Sequence, residues 1–378
     1  MFQRFERALD DAVAKGKIAG AVALVSDRDG VVFEHAAGRR TVGEPAAMDA
    51  ATVFWIASMT KAVTSVAALQ LVEQGKLTLD GDLAAMIPEL ANLKVLTAEG
   101  LRPAKGAVTL RLLLSHTCGF AYGFTSPELS AYQQARGANP NDGSRGALVQ
   151  PLLFDPGEGW IYGTGIDWAG VAVEAAGGQR LDAWFAEHVF GPLDMTDTGF
   201  VQTPEHDARR AGVHVRGPDG ALAPIPFGMP PNPELLSGGG GLYSTARDYG
   251  RFLRMLLNGG ALDGARILSA ETVRSLSDSQ TATHRAGYIR TAAADLSNDF
   301  DPYPHQAGHG LATMVTPQPT GDGRSAGSLA WGGLANTYYW ADPAAGKAGL
   351  LLTQLLPFGD AEVLGLFKAL ERDAYVVS

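Results

Sequence analysis

The sequence predicts an α/β protein: a central antiparallel sheet flanked by helices, with an inserted helical domain. Two observations lead to this prediction. Short strand-like runs occur near both ends of the chain, and the middle is helical and rich in glycine, proline and asparagine. Strands from both ends would therefore build one sheet, with residues 1–80 and 234–378 forming a discontinuous sheet domain and residues 81–233 a helical, loop-rich insertion.

The composition is that of an ordinary globular protein with a large core. The chain has 378 residues, 46% of them hydrophobic, and a formal net charge of -10 at pH 7. Acidic and basic residues are mixed along the chain, which argues against a nucleic-acid partner or an anionic membrane surface. The expected partner is a small, neutral or weakly charged molecule, and the oligomeric state cannot be read from the sequence.

The first elements are a helix and a hairpin. Residues 1–17 carry apolar side chains at helical spacing among charges, unlike the unbroken apolar stretch of a secretory signal. Two apolar runs, 19–25 and 31–37, flank the turn-forming residues 27–30 and predict an antiparallel hairpin. No apolar run approaches the roughly 20 residues needed to cross a bilayer. These patterns predict a cytoplasmic protein.

The next element is a buried helix from Ser58 to Gly75, because alanine, leucine and valine recur there at helical spacing before a glycine. Ser58 then falls in its first turn. The same patterns predict the remaining elements. These are helices at 110–115, 166–176, 181–189, 246–257 and 360–372, and strands at 311–315, 328–331, 337–341 and 349–355.

Ser58 and Lys61 are the first candidates for catalytic residues. A serine hydroxyl is a weak nucleophile, and it needs a neighbouring base and a site for the negative charge on the attacked carbonyl. Residues three apart share one helix face, so the Lys61 amine can reach the Ser58 hydroxyl. Burial beneath the apolar residues 54–56 would disfavour the charged ammonium, and the helix start adds a positive dipole. Serine and lysine three apart are common, so the pair alone also fits an exposed serine at a helix start beside a solvated lysine, and a serine nucleophile activated by lysine needs support from the surrounding motifs.

The surrounding motifs strengthen this interpretation. The segment Val53 to Lys61 resembles the active-site start of the penicillin-recognising serine enzymes, which include class C β-lactamases, D,D-peptidases and family VIII carboxylesterases. Four further segments resemble motifs of that group and occur in the same order: 113–120, 160–164, 238–244 and 331–333. The resemblance spans most of the chain and implies a β-lactamase/D,D-peptidase-like fold.

The resemblance also implies roles for other residues. Tyr162 would complete the catalytic group and return a proton to the departing alcohol. The backbone N–H groups of Ser58 and Leu334 would form the oxyanion hole. Asp167, five residues after Tyr162, either orients Lys61 or Tyr162 or is a surface residue of a short helix.

One departure from the β-lactamase pattern predicts the substrate. Where that group carries a lysine or histidine that grips the substrate carboxylate, this sequence has Trp331, followed by Gly332 and Gly333. A buried carboxylate without a partner is costly, so such a site favours uncharged esters. Tryptophan at this place is typical of family VIII carboxylesterases. Phe120 and Trp160 are further candidates for a pocket that takes short acyl chains.

The reaction expected from these residues is hydrolysis of short-chain carboxylic esters through an acyl-Ser58 intermediate. Two alternatives keep the enzyme: an acyltransferase that passes the acyl group to an alcohol, and a weak β-lactamase. A third is a ligand-binding protein that acylates without turnover. The match of residues 323–327 to the G-x-S-x-G elbow lacks the preceding strand and following helix, so Ser325 is interpreted as a loop residue.

The other reactive residue types predict no further chemistry. Cys118 is the single cysteine and is expected to pack in the interior. His305 and His309 are four apart but lie in a Pro/Gly-rich segment, and no zinc motif accompanies them. His116 is interpreted as a packed, hydrogen-bonded residue. No phosphate-binding loop or dinucleotide fingerprint occurs, so neither a metal nor a cofactor is expected.

Overall fold

The computed structural model describes residues 2–139, 142–230, 233–281, 284, 286–301, 308–311 and 313–376. Its helices are α1 (Gln3–Ala14), α2 (Thr60–Glu73), α3 (Leu110–Leu114), α4 (Pro127–Ala135), α5 (Gly165–Gly177), α6 (Leu181–Phe185), α7 (Pro204–Arg209), α8 (Ala246–Leu257), α9 (Ala270–Ser275) and α10 (Ala361–Tyr375). Its strands are β1 (Gly20–Asp27), β2 (Val31–Gly38), β3 (Phe54–Trp55), β4 (Lys94–Thr97), β5 (Gly100–Pro103), β6 (Val213–Arg216), β7 (Leu222–Ile225), β8 (Tyr243–Ser244), β9 (Ala261–Leu262), β10 (Ala265–Arg266), β11 (Gly308–His309), β12 (Met314–Val315), β13 (Leu329–Gly333), β14 (Thr337–Asp342), β15 (Lys347–Leu352) and β16 (Leu355–Leu356).

The central sheet joins the two ends of the chain. Its strand order is β11-β12-β13-β14-β15-β1-β2, and every neighbouring pair is antiparallel. Strand β1 pairs with β2 on one side and with β15 on the other, so strands that are far apart in sequence become adjacent. The predicted antiparallel sheet built from both termini is confirmed.

Helices cover both faces of this sheet. Along β1, alternate side chains face opposite layers: Val22 and Leu24 belong to the core shared with α2, α5 and α8, whereas Ala21 and Ala23 pack in the core beneath α1 and α10. Strand β1 is buried on both faces, and its apolar run is therefore nearly continuous. Within the described ranges, no helix combines the length and apolar character needed to cross a membrane.

Helix α2 is the innermost helix. Every residue from Thr60 to Leu71 is buried, and α5, α6, the turn Ala57–Met59 and the segment Ala186–Phe190 all contact this helix. The helix begins two residues later than predicted, and Ser58 lies in a preceding 3-10 turn, Ala57–Met59. Because that turn ends in contact with β13, the sheet and the helix meet at Ser58.

Two predicted strands differ from the observed ones. The run 349–355 is divided, because the chain leaves the central sheet after β15 and Leu355 pairs in parallel with His214 of β6. The run 311–315 forms a strand only at Met314 and Val315 within its described part. The short sheet β16-β6-β7 brings residues 213–225 of the predicted insertion against the carboxyl-terminal region. The division into two domains stays a prediction.

Candidate active site

A strained turn presents Ser58. Strand β3 leads into this turn and is held by its pairing with β8. Ala57, the residue before the serine, has a φ of 44°, a left-handed conformation that is unfavourable for a residue with a Cβ such as alanine. Strand β13 passes close to the same turn: a Cβ at Gly333 would lie 2.3 Å from the Ile56 carbonyl oxygen. Glycine at position 333 therefore permits this close approach.

The Lys61 side chain is buried and points at three acceptors. Its Nζ donates to Ser58 Oγ at 3.2 Å, to the Tyr122 hydroxyl at 3.0 Å and to the Gly239 carbonyl oxygen at 2.5 Å. Nζ therefore has a hydrogen-bond partner in each of three directions. Since the side chain is only 1% exposed, these contacts fix the amine beside the serine hydroxyl.

Tyr162 is the second residue, after Lys61, whose side chain contacts Ser58 Oγ. Its hydroxyl donates to Ser58 Oγ at 2.5 Å and accepts from Trp331 Nε1 at 3.4 Å. The Lys61 Nζ lies 4.8 Å from the centre of the Tyr162 ring. The structure thus brings together the three residues predicted to be catalytic, and adds Trp331 as a donor to the tyrosine oxygen.

Tyr122 makes a hydrogen bond with Lys61 that the sequence did not predict. Burial, followed by the charge of the Asp167 carboxylate, raises the pKa of Tyr122 well above its ordinary value. Tyr122 therefore remains a neutral hydroxyl and accepts the Lys61 hydrogen bond without exchanging its proton. In the sequence, Tyr122 could be recognised only as one of the aromatic residues of the loop-rich segment 81–233.

Asp167 is buried and is linked to Lys61 through the backbone of Gly239. Its carboxylate accepts from the Gly239 amide at 2.9 Å and from Ser237 Oγ at 2.7 Å. Gly239 is the residue whose carbonyl contacts Lys61, and a Cβ there would lie 2.3 Å from Asp167 Oδ2. Asp167 is thus an interior residue that holds the glycine-rich segment 238–241 in place, and the surface alternative is wrong.

Two buried histidines pack behind Tyr162. The His116 ring lies 5.0 Å from the Tyr162 ring and 5.0 Å from the His309 ring, and His309 contacts Trp331 at 5.6 Å. Burial is the main cause that lowers the pKa of His116 well below its usual value and that of His309 to about 4. Both rings are therefore neutral at pH 7.

His116 is packed as predicted, but the predicted hydrogen bonding of its ring is not found within the described residues. Neither ring nitrogen has a hydrogen-bond partner among the residues that the structure describes. Its backbone contributes instead, because the carbonyl oxygen accepts from the Ile161 amide at 3.0 Å and so fixes the residue before Tyr162. His305 lies outside the described residues. In the described part of the chain, no group of three or more potential metal ligands occurs.

A cleft of about 1340 Å³ opens at the nucleophile. Ser58, Tyr162, Trp331, Gly332 and Leu334 all line it. Three other predicted pocket residues are not part of its described wall: Phe120, Trp160 and Gly333. Phe120 packs on Trp168 in the core, and Trp160 packs against His116 and His309.

Ser325 is also absent from the described wall of the cleft. Its amide donates to Asp342, and strand β13 follows it where an elbow would need a helix.

The chain resembles known proteins over nearly its whole length. The sequence matches the beta-lactamase family over residues 5–372. Lovastatin esterase from Penicillium rubens is 33% identical over 387 residues, which cover 96% of each chain. Monacolin J acid methylbutanoyltransferase from Aspergillus terreus is 32% identical, over 98% of this chain and 94% of that protein. A structure of a simvastatin synthase variant from Aspergillus terreus superimposes with a TM-score of 0.85 at 30% identity, over 98% of this chain and 93% of the other.

Proposed function

The chain belongs to the beta-lactamase family of serine enzymes, and from this premise we propose that it is a serine carboxylesterase. The observation that carries the proposal is the hydrogen-bonded group of Ser58, Lys61 and Tyr162 in the wall of a large cleft beside Trp331. In the proposed reaction, Ser58 takes the acyl group of an ester and water then releases the acid.

The first step is activation of Ser58. Its hydroxyl oxygen has two basic or potentially basic neighbours, the Lys61 amine at 3.2 Å and the Tyr162 oxygen at 2.5 Å. In the reactive form Lys61 is a free amine: as Ser58 Oγ bonds to the ester carbonyl carbon, its proton passes to Lys61 Nζ. Tyr162 then donates a proton to the alkoxy oxygen when the bond between the acyl carbon and that oxygen breaks. Tyr122 keeps its own proton and serves to position Lys61.

The carbonyl oxygen needs stabilisation when it becomes negatively charged. We propose the backbone N–H groups of Ser58 and Leu334 for this role, as the family resemblance implies. Two features support the assignment: Leu334 lines the cleft together with Ser58, and strand β13 ends at Gly333, which is packed against the turn of the nucleophile. Hydrolysis of the acyl-enzyme reverses the roles, with water in place of the alcohol.

The proposed substrate is an uncharged ester with a short acyl group. Trp331 gives the Ser58 end of the cleft an indole where a cation would grip a carboxylate, and an unpaired buried carboxylate is disfavoured. The Tyr122 and Phe124 rings stack at 5.2 Å and the Tyr122 and Tyr162 rings lie 5.3 Å apart, which forms an aromatic wall beside the nucleophile. The relatives add support, because one is named for lovastatin ester cleavage and another for methylbutanoyl transfer.

Acyl transfer to an alcohol is the second candidate function, and the names of the relatives favour it. Several are acyltransferases, and they cover most of this chain at similar identity to the esterase. The two functions share the acyl-Ser58 intermediate and differ in the acceptor. Product analysis with and without an added alcohol distinguishes them: a hydrolase releases mainly acid, whereas a transferase forms mainly new ester.

The catalytic assignment is tested by labelling with a serine-directed phosphonate and by two matched variants. We expect the label on Ser58, and we expect Ser58→Ala to lower ester turnover by at least about 10³-fold. Ser325→Ala should retain wild-type turnover, because its amide contact with Asp342 survives the substitution. A label on Ser325, or cephalosporin turnover that matches that of short esters, would refute the proposal.

A further inference from the structure

A buried segment connects the two parts of the chain that carry the proposed oxyanion donors. Thr353 and Gln354 join β15 to β16, and Leu355 begins β16. We call residues 353–355 the connecting segment, and all three are buried. It is bonded on one side to the strand that leads to Ser58, and on the other side to the turn that follows Leu334.

The Gln354 side chain pairs with the backbone of Trp55. The Trp55 amide donates to Gln354 Oε1 at 3.2 Å, and Gln354 Nε2 donates to the Trp55 carbonyl oxygen at 2.9 Å. A side-chain amide offers both a donor and an acceptor, as a peptide group does. One side chain therefore satisfies both backbone groups of a residue that lies three positions before Ser58.

The amide of Gln354 is fully engaged. Its Nε2 also donates to the Thr353 carbonyl oxygen at 2.7 Å, and the residue is 3% exposed. A buried amide is costly unless it is hydrogen-bonded, so these contacts fix the side chain in one orientation. Gln354 is absent from the described wall of the cleft. It can therefore affect a bound ester only through the backbone of Trp55.

The connecting segment also fixes the turn after Leu334. The Leu355 amide donates to the Ala335 carbonyl oxygen at 3.1 Å. The Thr353 hydroxyl lies 3.0 Å from the same oxygen and 2.9 Å from the Asn336 carbonyl oxygen, and it donates to this pair. Asn336 has a φ of 57°, in the left-handed region, and its Nδ2 donates back to the Leu355 carbonyl oxygen at 2.7 Å. Hydrogen bonds in both directions therefore hold this turn.

An oxyanion site requires both donors at the correct distance from one oxygen atom. The N–H groups of Ser58 and Leu334 belong to segments that are distant in sequence, and each must lie about 2.7–3.1 Å from the oxygen. The two segments also meet directly, because Thr337 Oγ1 donates to the Ile56 carbonyl oxygen at 3.3 Å. A displacement of about 1 Å at such a site costs up to about 10²-fold in rate.

We propose that Gln354 is a positioning residue of the oxyanion site, which fixes the Ser58 N–H group relative to the Leu334 N–H group. Thr353 contributes from the other side, through the turn after Leu334. The inference rests on the proposed function, in which these two N–H groups stabilise the negatively charged carbonyl oxygen. Loss of the Gln354 amide weakens a contact that forms fully only in the transition state, so it lowers kcat and leaves KM unchanged.

Gln354→Met tests the inference, because methionine has a similar length and no amide. We expect kcat for ethyl acetate to fall by about 10–10²-fold, with KM within about threefold of the wild-type value. An unchanged kcat, or a loss that appears in KM alone, overturns the inference.

A second variant, Thr353→Val, removes only the hydroxyl that holds the turn after Leu334. We expect its kcat to fall by about threefold to 10-fold, again without a change in KM, because one hydrogen bond is lost. Should Gln354→Met not fold, an unchanged kcat of Thr353→Val overturns the inference.

The control variant is Gln70→Met, in α2. Gln70 is also a buried amide: its Nε2 donates to the carbonyl oxygens of His188 and Ile267, and its Oε1 accepts from Trp184 Nε1. None of these residues belongs to the described wall of the cleft. At a temperature where both variants are folded, Gln70→Met should keep the wild-type kcat and KM. An equal loss of kcat in Gln70→Met and Gln354→Met would be a general effect of a lost buried amide, and the inference would fail.

A labelling rate separates this inference from the proposed function. When Ser58 Oγ bonds to the phosphorus of a fluorophosphonate, fluoride leaves and the phosphoryl oxygen gains negative charge in the transition state, without any ester turnover. We expect Gln354→Met to label at least about 10-fold more slowly than the wild type, and Gln70→Met to label at the wild-type rate. Equal rates in all three proteins refute the positioning role, whether or not esters are hydrolysed. Slower labelling of Gln354→Met alone, in a protein that hydrolyses no ester, refutes the esterase and leaves the positioning role supported.

Discussion

At the Ser58 end of the cleft, a chain of hydrogen bonds from Asp167 through Gly239 to Lys61 holds the nucleophile. The distal end of the cleft, beside α10, is lined by apolar side chains such as Phe358 and Phe367 together with the charged Lys368 and Glu371. Hydrogen bonds are directional, and the loss of one donor moves its neighbours. Hydrophobic contact has no direction and scales with area. We therefore expect changes near Ser58 to slow every ester alike, and changes at the distal end of the cleft to affect esters according to their size.

The largest expected effect tests the catalytic end. Tyr162→Phe removes the hydroxyl that donates to Ser58 Oγ, so both the attack and the departure of the alcohol lose their proton-transfer group. We expect kcat to fall by about 10²–10⁴-fold. Steady-state kinetics with ethyl and decyl acetate should give the same factor for both esters. A loss confined to the long ester would contradict the comparison.

The next effect concerns stability in acid. The ordinary histidine pKa is 6.5 and that of folded His309 about 4, so between these values the unfolded chain binds more protons than the folded one. Stability is therefore full above pH 6.5 and declines as the pH falls towards 4, by about 3 kcal/mol for a shift of this size. Guanidinium unfolding at pH 7 and pH 4.5 measures the decline. His309→Phe should show a smaller decline, and an equal one would contradict the assignment to His309.

The smallest effect distinguishes the two tyrosines at Lys61. Tyr122→Phe removes one acceptor of the amine but leaves Ser58 and Tyr162 in contact. We expect kcat to fall by about 10-fold, in line with the loss of one hydrogen bond to a charged group, and the pH profile of kcat to shift as the Lys61 environment changes. Tyr132→Phe, a substitution in α4 outside the cleft wall, should leave both unchanged. An effect as large as that of Tyr162→Phe would assign proton transfer to Tyr122.

The sequence predicted those parts of the molecule that depend on local periodicity. The first helix, the hairpin of β1 and β2, helix α2 and the long strands β13 to β15 each span enough residues to reveal an apolar period. Ser58 and Lys61 lie three positions apart on one chain segment, and the motif order identified Tyr162. These predictions agree with the observed fold and with the observed contacts.

The remaining features depend on contacts between distant residues. Lys61 meets Tyr122 across 61 positions and Gly239 across 178, and no short motif encodes such a meeting. The parallel pairing of β6 with β16 is similarly long-range, and two-residue strands such as β16 are too short to show a period. The distal end of the cleft has no sequence signature, because its wall is assembled from separate segments of the chain.

The burial of Cys118 has a practical consequence. This single thiol is 1% exposed, and burial raises its pKa, so at neutral pH it is neither accessible nor ionised, as alkylation requires. A cysteine introduced at an exposed position would then be the one site on the protein that maleimide dyes modify. Fluorescent probes placed at Gly365 and near the cleft mouth could follow entry of an ester in real time, without first removing a native thiol.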